Sequence, residues 1–140
     1  MAIEISCDPA RMDLDVVHRL LSQSYWARGI PRELVARSLA HSLCFGAFIH
    51  GKQIGIARVI TDRATYAYIC DVCVEPERRG QGTGKALMTA IRNHPELQNL
   101  RRWSLVTRDA HGLYAQFGFT PPAEPSGYME IVRRNAYAGG

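Results

Sequence analysis

Lysine is scarce in a chain that is nonetheless basic. Of 17 Lys and Arg residues only Lys52 and Lys85 are lysines, and with 13 Asp and Glu the formal net charge is +4. Basicity alone would permit nucleic-acid binding, but the arginines are spread from Arg11 to Arg134 rather than gathered on one segment. No nucleic-acid partner is expected. Long apolar runs are missing too: no stretch approaches the ~20 residues that a membrane-spanning helix needs, so no membrane association is expected. The opening MAIEISCDPARMDLD carries acids and has no apolar core behind a basic start, unlike a secretory signal, and the expected compartment is cytoplasmic. Internal repeats and low-complexity segments are also lacking. At 140 residues, 46% hydrophobic and 21% charged, the composition is close to globular averages. There is room for a real core but not for a second domain, so residues 1–140 are read as one domain.

Cysteine is sparse, with four residues, yet Cys70-Asp71-Val72-Cys73 has CxxC spacing. Metal or redox pairs of this kind sit on a turn or a helix start, whereas a regular strand sends residues three apart to opposite faces. No second Cys/His pair stands at zinc spacing. Buried strand thiols and no metal are expected.

Along the chain, Ile3 and Ile5 alternate with polar neighbours and predict a short strand ending at Asp8-Pro9. Val16, Val17, Leu20 and Leu21 then form a helical stripe that ends about Ser24, with Asp13 or Asp15 near its start. Tyr25 and Trp26 load the next turn with aromatics, which either line a substrate pocket or cap the core. A helix over Arg32 to His41 follows. Leu43 to Ile49, Gln53 to Ile60 and Tyr66 to Val74 predict an antiparallel meander, its first turn at His50-Gly51-Lys52. A helix from Gly82 to His94 and a strand from Trp103 to Thr107 complete a crossover. Asp109 caps a short helix ended by Gly118, a last strand is expected at Met129 to Val132, and the tail to Gly140 reads as frayed.

The stretch DVCVEPERRGQGTGKALM, Asp71 to Met88, joins a strand to a helix through Pro76 and the turn Arg79-Gly80-Gln81-Gly82-Thr83-Gly84-Lys85. Glycines let such a turn present backbone N–H groups outward, and the positive end of the following helix adds to them. A diphosphate fits that description. A nucleotide P-loop is excluded because Arg79 and Ala86 stand where Gly and Ser or Thr are needed, and a dinucleotide fingerprint because Lys85 replaces its third glycine.

Arg79, Gly82 and Gly84, behind the strand end Val74-Glu75-Pro76, resemble the coenzyme A signature R/Q-x-x-G-x-G/A of the GNAT N-acetyltransferase superfamily. Ala110, Leu113, Tyr114, Gly118 and Phe119 resemble that family's A-x-x-L-Y-x-x-x-G-F segment. The likeness covers nearly the whole chain. It implies an α/β (α+β) fold: a mixed, mostly antiparallel central sheet of about six to seven strands flanked by about four helices, the GNAT-like acyl-CoA N-acyltransferase fold.

The resemblance further implies direct transfer of an acetyl group from acetyl-CoA to a primary amine, without a metal. Coenzyme A would lie between the strands Tyr66 to Val74 and Trp103 to Thr107. Backbone groups of Cys73 and Val74 would meet the pantetheine amides, and the turn from Arg79 through Gly80, Gln81, Gly82, Thr83 and Gly84 to Lys85 would hold the diphosphate. Tyr114 matches the tyrosine that protonates the departing thiolate; alternatively its ring only packs the short helix. An ordinary phenol titrates near ~10, which predicts a loss of rate above that pH. Asp71, a carboxylate in an apolar strand, either receives the substrate ammonium or is a structural hydrogen-bond acceptor. His111 is a reserve base. Tyr25, Trp26 and Asp71 suggest a small cationic or aromatic amine, or a peptide amine, as acceptor, and a homodimer is left open. A non-catalytic acyl-CoA sensor would use the same glycine turn but has no need of an acid at Tyr114.

Overall fold

The computed structural model describes residues 2–137. One sheet runs through it in the order β1 (Glu4–Ser6), β2 (Leu43–Ile49), β3 (Lys52–Thr61), β4 (Tyr66–Val74) and β5 (Arg102–Leu105). Neighbours are antiparallel except β4 and β5, which are parallel. Parallel strands need a crossover, and α3 (Thr83–Asn93) supplies it. The β2–β3 turn has His50 and Gly51 both at positive φ, the geometry of a tight two-residue hairpin.

All seven residues of β2 are buried because helices cover both faces of the sheet. On one face α1 (Leu14–Ser22) and α2 (Arg32–Ala40) bring Val16, Val17, Leu20, Leu21 and Val35 onto Cys44 and Ile56. Asp13 starts α1, its carboxylate accepting from the N–H groups of Asp15 and Val16. On the other face α3 brings Leu87, Met88 and Ile91 onto Phe45, Ala47, Ile54 and Val59. The short α4 (His111–Ala115) lies on this side too, where Tyr114, Phe117 and Phe119 pack against the same core.

Several sequence expectations are corrected. Among the described residues the sheet has five strands, not six or seven. The expected strand Met129 to Val132 is absent: this segment has no ladder, and its large apolar side chains are exposed. Asp109 does not cap α4. The cap position is Ala110, whose N–H donates to Thr107 Oγ1. In the tail, Tyr137 packs against the α1–α2 core, while residues 138–140 of the expected frayed end lie outside the described residues. Among the described residues no helix is long and apolar enough to cross a membrane.

The alternation of β4 also breaks. Ile56 faces Cys73 but Arg58 faces Cys70, so Asp71 and Val72 together oppose the single residue Ala57. This is a β-bulge, and Asp71 takes the left-handed conformation within it, with φ 54°. Ala67 and Ile69 before the bulge pack on the α3 side, as do Val72 and Val74 after it. The inserted residue therefore resets the faces, and Cys70 and Cys73 do not lie on opposite sides as a regular strand would require. Cys70 stands across from Arg58, itself across from Cys44 of the α1–α2 core, and Cys73 packs on that core.

Leu87 is fully buried at the centre of the α3 face. Leu87→Ala should lower the unfolding free energy by ~2–5 kcal/mol, as core truncations do, whereas Thr89→Ala on the exposed side of the same helix should change it by less than ~0.5 kcal/mol. Urea melts of the two variants check this.

Candidate active site

The register between β4 and β5 runs from Tyr66 opposite Arg102 to Ile69 opposite Leu105 and stops there. β4 continues to Val74, so beyond Ile69 its β5-facing edge has no strand partner among the described residues. The bulge at Asp71 follows at once, and the two strands diverge. Between them opens a cleft of about 260 Å³ lined by Tyr25, Trp26, Asp71, Val72, Leu105 and Tyr114, among others. Residues far apart in sequence and separately predicted for a site thus meet in one cavity.

Asp71 is held on both oxygens. Trp26 Nε1–H donates to Oδ1 at 2.6 Å, and Arg58 Nε–H donates to Oδ2 at 2.7 Å. Arg58 Nη1 also donates to Ser42 Oγ at 3.0 Å. The ionic side chains are only 16% and 9% exposed for Arg58 and Asp71, which makes this a largely desolvated pair. Arg58 was missed in the sequence, although its signal was there: a lone arginine inside the apolar run of β3, beside a strand with a lone aspartate.

Tyr25 and Trp26 are 41% and 45% exposed, while Ala27 and Ile30 of the same turn are the residues that enter the core. The two aromatic rings meet edge to face at 4.9 Å. Tyr25 is tied across the cleft to the segment after β5: the Arg108 N–H donates to its hydroxyl at 3.1 Å, and the Arg108 guanidinium lies 3.8 Å from its ring centre. Trp26 is fixed to β4 through Asp71.

Tyr114 projects from α4 against Phe119, ring centres 6.2 Å apart. Burial, with the nearby Cys73 adding to it, pushes its phenol up to about 12. The ordinary value near ~10 assumed from sequence does not hold, and the hydroxyl keeps its proton well above neutral pH. His111, one turn earlier, is exposed. Burial likewise pushes the thiols of Cys70 and Cys73 up to about 12, so neither is a thiolate at neutral pH. Among the described residues no group of three or more His, Cys, Asp or Glu could hold a metal ion.

At the end of β4 the glycine turn leads into α3. Gly80 and Gly82 have φ of 78° and 88°, and a Cβ at either would meet nothing within 4 Å. Backbone conformation, not crowding, demands glycine there, and the surface outside is open. Gly82 occupies the N-cap of α3 with no side-chain cap hydrogen bond, which leaves first-turn N–H groups without a side-chain acceptor. Thr83 is buried, and its Oγ1 has no hydrogen-bond partner among the described residues. Arg79, Gln81 and Lys85 are exposed around the turn, and Gly84 faces Leu113 of α4. Glu75, buried just before the turn, pairs with Arg19 of α1. Uncapped donors, an orphaned hydroxyl and flanking cations together fit an anionic group.

A family model described as an acetyltransferase (GNAT) domain matches residues 40–121, from the end of α2 through α4. The chain is 52% identical to a GNAT-family protein from Xanthomonas campestris pv. campestris whose crystal structure superposes with a TM-score of 0.95, over 99% of this chain and 98% of that one. It is 29% identical to a Gibberella zeae protein inferred to be an acetyltransferase, covering 80% of this chain and 75% of that protein. A Clostridium acetobutylicum protein, crystallised with acetyl-CoA, shares the fold at 18% identity and a TM-score of 0.68, over 94% of this chain and 96% of that one.

The Asp71–Arg58 pair generates a stability test. Asp71→Asn suits the left-handed backbone and can keep the Trp26 contact, but it leaves the Arg58 charge unpaired. It should cost ~3 kcal/mol or more in a denaturant melt. The double variant Arg58→Met, Asp71→Asn should recover part of that loss, whereas equal stability of the two variants would show that the unpaired Arg58 charge is not what destabilises Asp71→Asn.

Proposed function

The chain belongs to the GNAT acetyltransferase family, and on that premise we propose that it moves an acetyl group from acetyl-CoA directly to a primary amine bound in the cleft between β4 and β5. One observation carries the reading: a turn with uncapped backbone donors sits at the end of the same strand whose bulge and free edge form a cleft lined by a half-buried tyrosine. Acetyl-CoA supplies an activated thioester and a thiolate leaving group. The residues fit it. Arg79, Gly80, Gln81, Gly82, Thr83, Gly84 and Lys85 would hold the diphosphate, Thr83 Oγ1 gaining a partner for its orphaned hydroxyl. Backbone groups of Cys73 and Val74, on the edge that β5 leaves free, would pair with the pantetheine amides, and an N–H there would polarise the thioester carbonyl.

Tyr114 acts as the general acid. Its proton passes to the departing sulfur, and a phenol raised to about 12 by burial stays neutral and protonated across the working range. Direct attack by the amine is favoured over an acyl-cysteine because the Cys73 thiol is pushed up to about 12 and offers no nucleophilic thiolate. Asp71 serves as a positioning residue that orients Trp26, since both of its oxygens are engaged. The ammonium proton is then taken by water or His111. Half-exposed Tyr25 and Trp26, with Tyr68 also lining the cleft, suit a small aromatic or cationic amine. A peptide amine would have to enter past the Tyr25–Arg108 contact.

Acetyl-CoA should raise the melting temperature by mass action while NAD and ATP raise it much less. Gly82→Asp should remove the acetyl-CoA shift in a protein that still folds, by adding both a carboxylate and strain at φ 88°. A shift that survives this change places the diphosphate elsewhere.

Tyr114→Phe keeps the ring and removes the hydroxyl. With an amine substrate and chemistry as the slow step, kcat should fall by ~10²-fold or more while the acetyl-CoA dissociation constant stays nearly constant. Because burial raises the phenol pKa, wild-type kcat should show no loss attributable to Tyr114 below about pH 11. A descending limb near pH 10 that disappears in the phenylalanine variant would contradict the protonated state, an undiminished kcat would place the acid elsewhere, and thiol release from no amine by the wild type would favour a non-catalytic acyl-CoA-binding protein.

A further inference from the structure

The cleft between β4 and β5 is unbalanced in charge. The carboxylates of Asp71 and Asp109 line it, and no Lys, Arg or His does. Asp71 is neutralised from behind the wall, where Arg58 donates to one oxygen and Trp26 to the other. Asp109 is not. Among the described residues its carboxylate enters no ion pair and accepts no hydrogen bond.

The structural work open to this aspartate is done by its neighbours. It does not cap α4, and it is Thr107 Oγ1 that accepts the Ala110 N–H, at 3.0 Å. Arg108, adjacent in sequence, is committed to Tyr25 through its N–H and through its guanidinium, 3.8 Å from the ring centre. The Asp109 carboxylate is left exposed at the rim of a cavity walled by Tyr25, Trp26, Tyr68 and Tyr114. Its negative charge reaches the Tyr114 phenol, where it adds to the effect of burial. An unpaired carboxylate beside aromatic rings suits an organic cation.

We propose that Asp109 selects the acceptor, and that the acceptor is a short aliphatic diamine: one amine reacts inside the cleft while the ammonium at its other end pairs with Asp109 at the rim. This rests on the acetyl-transfer reading above and names a substrate class for it. Asp109 holds the second charge, and not the reacting nitrogen, for a chemical reason. The attacking nitrogen must shed its proton to free its lone pair, and a carboxylate paired with it would hold that proton on. A carboxylate therefore selects best at the end of the substrate that does not react. Asp109 is placed for this, since it is exposed whereas Tyr114, the proposed acid at the sulfur, is half-buried. Asp71 has no oxygen to spare. A cleft of about 260 Å³ leaves room only for a short spacer between the two nitrogens.

Calorimetric titrations in the presence of coenzyme A test this without requiring turnover. Diaminopropane, diaminobutane and diaminopentane are each compared with the monoamine of the same chain length. In the wild type at least one diamine should bind about tenfold more tightly than its monoamine, well beyond the roughly twofold that two equivalent ends give by statistics. Asp109→Asn should remove that preference and Asp109→Glu, which keeps the charge, should retain it. Should the asparagine variant fail to fold, the wild type still decides: its Asp109 carboxylate carbon resonance should move as the preferred diamine is added. No preference for any diamine, a preference that survives Asp109→Asn, or an unmoved Asp109 resonance overturns the proposal. Acetyl-CoA is then given to the diamine-bound wild type. A diamine held through Asp109 from which no thiol release follows sinks the acetyl-transfer reading while the cation site stands.

Discussion

Much of this protein depends on one extra residue in β4. Asp71 and Val72 oppose the single residue Ala57, and the resulting bulge does three things at once. It lies just beyond the point where β4 and β5 cease to pair, it aims the Asp71 carboxylate at Trp26 and Arg58, and it resets which side chains face which layer. Asp71 at φ 54° is held in a conformation that is uncommon for residues other than glycine. The Arg58 pair and the Trp26 hydrogen bond are the interactions that offset this strain. Without them the Tyr25–Trp26 turn would lose its tie to the sheet.

The two halves of the site are mechanically connected through the end of β4. Glu75 is buried between the strand and the glycine turn, its N–H donating to the Ile54 carbonyl at 2.8 Å and its carboxylate paired with Arg19 on α1. α1 leads directly to Tyr25 and Trp26. The turn that presents backbone donors and the aromatics over the cleft are therefore referenced to one short piece of chain. Tyr114 joins from α4, whose neighbour Leu113 packs toward Gly84 in the first turn of α3.

What was legible in the sequence were features encoded locally. The helices, the meander and the crossover follow from apolar periodicity, and the glycine turn follows from positions where positive φ excludes other residues. Of the residues that meet in the cleft, Tyr114 was anticipated through family likeness, Tyr25 and Trp26 through their aromatic load on a turn, and Asp71 through its charge in an apolar strand; that they meet was not readable from spacing. The bulge was not legible, because register is a property of two strands and neither sequence alone states where they slip. For the same reason the CxxC pair was placed on opposite faces, and Arg58 was passed over until its partner was seen. Met129 to Val132 reads as a strand in the sequence, but pairing needs a second strand, and among the described residues none pairs with it.

The bulge makes β4 unusual in what it can absorb over evolutionary time. Side chains after Asp71 can be exchanged for others of similar volume while the layers stay in phase. Losing one residue there would instead rotate Val72, Cys73 and Val74 to the opposite layers and pull the start of the glycine turn back along the strand. At this point in the chain it is the count of residues, more than their identity, that the protein has least freedom to change.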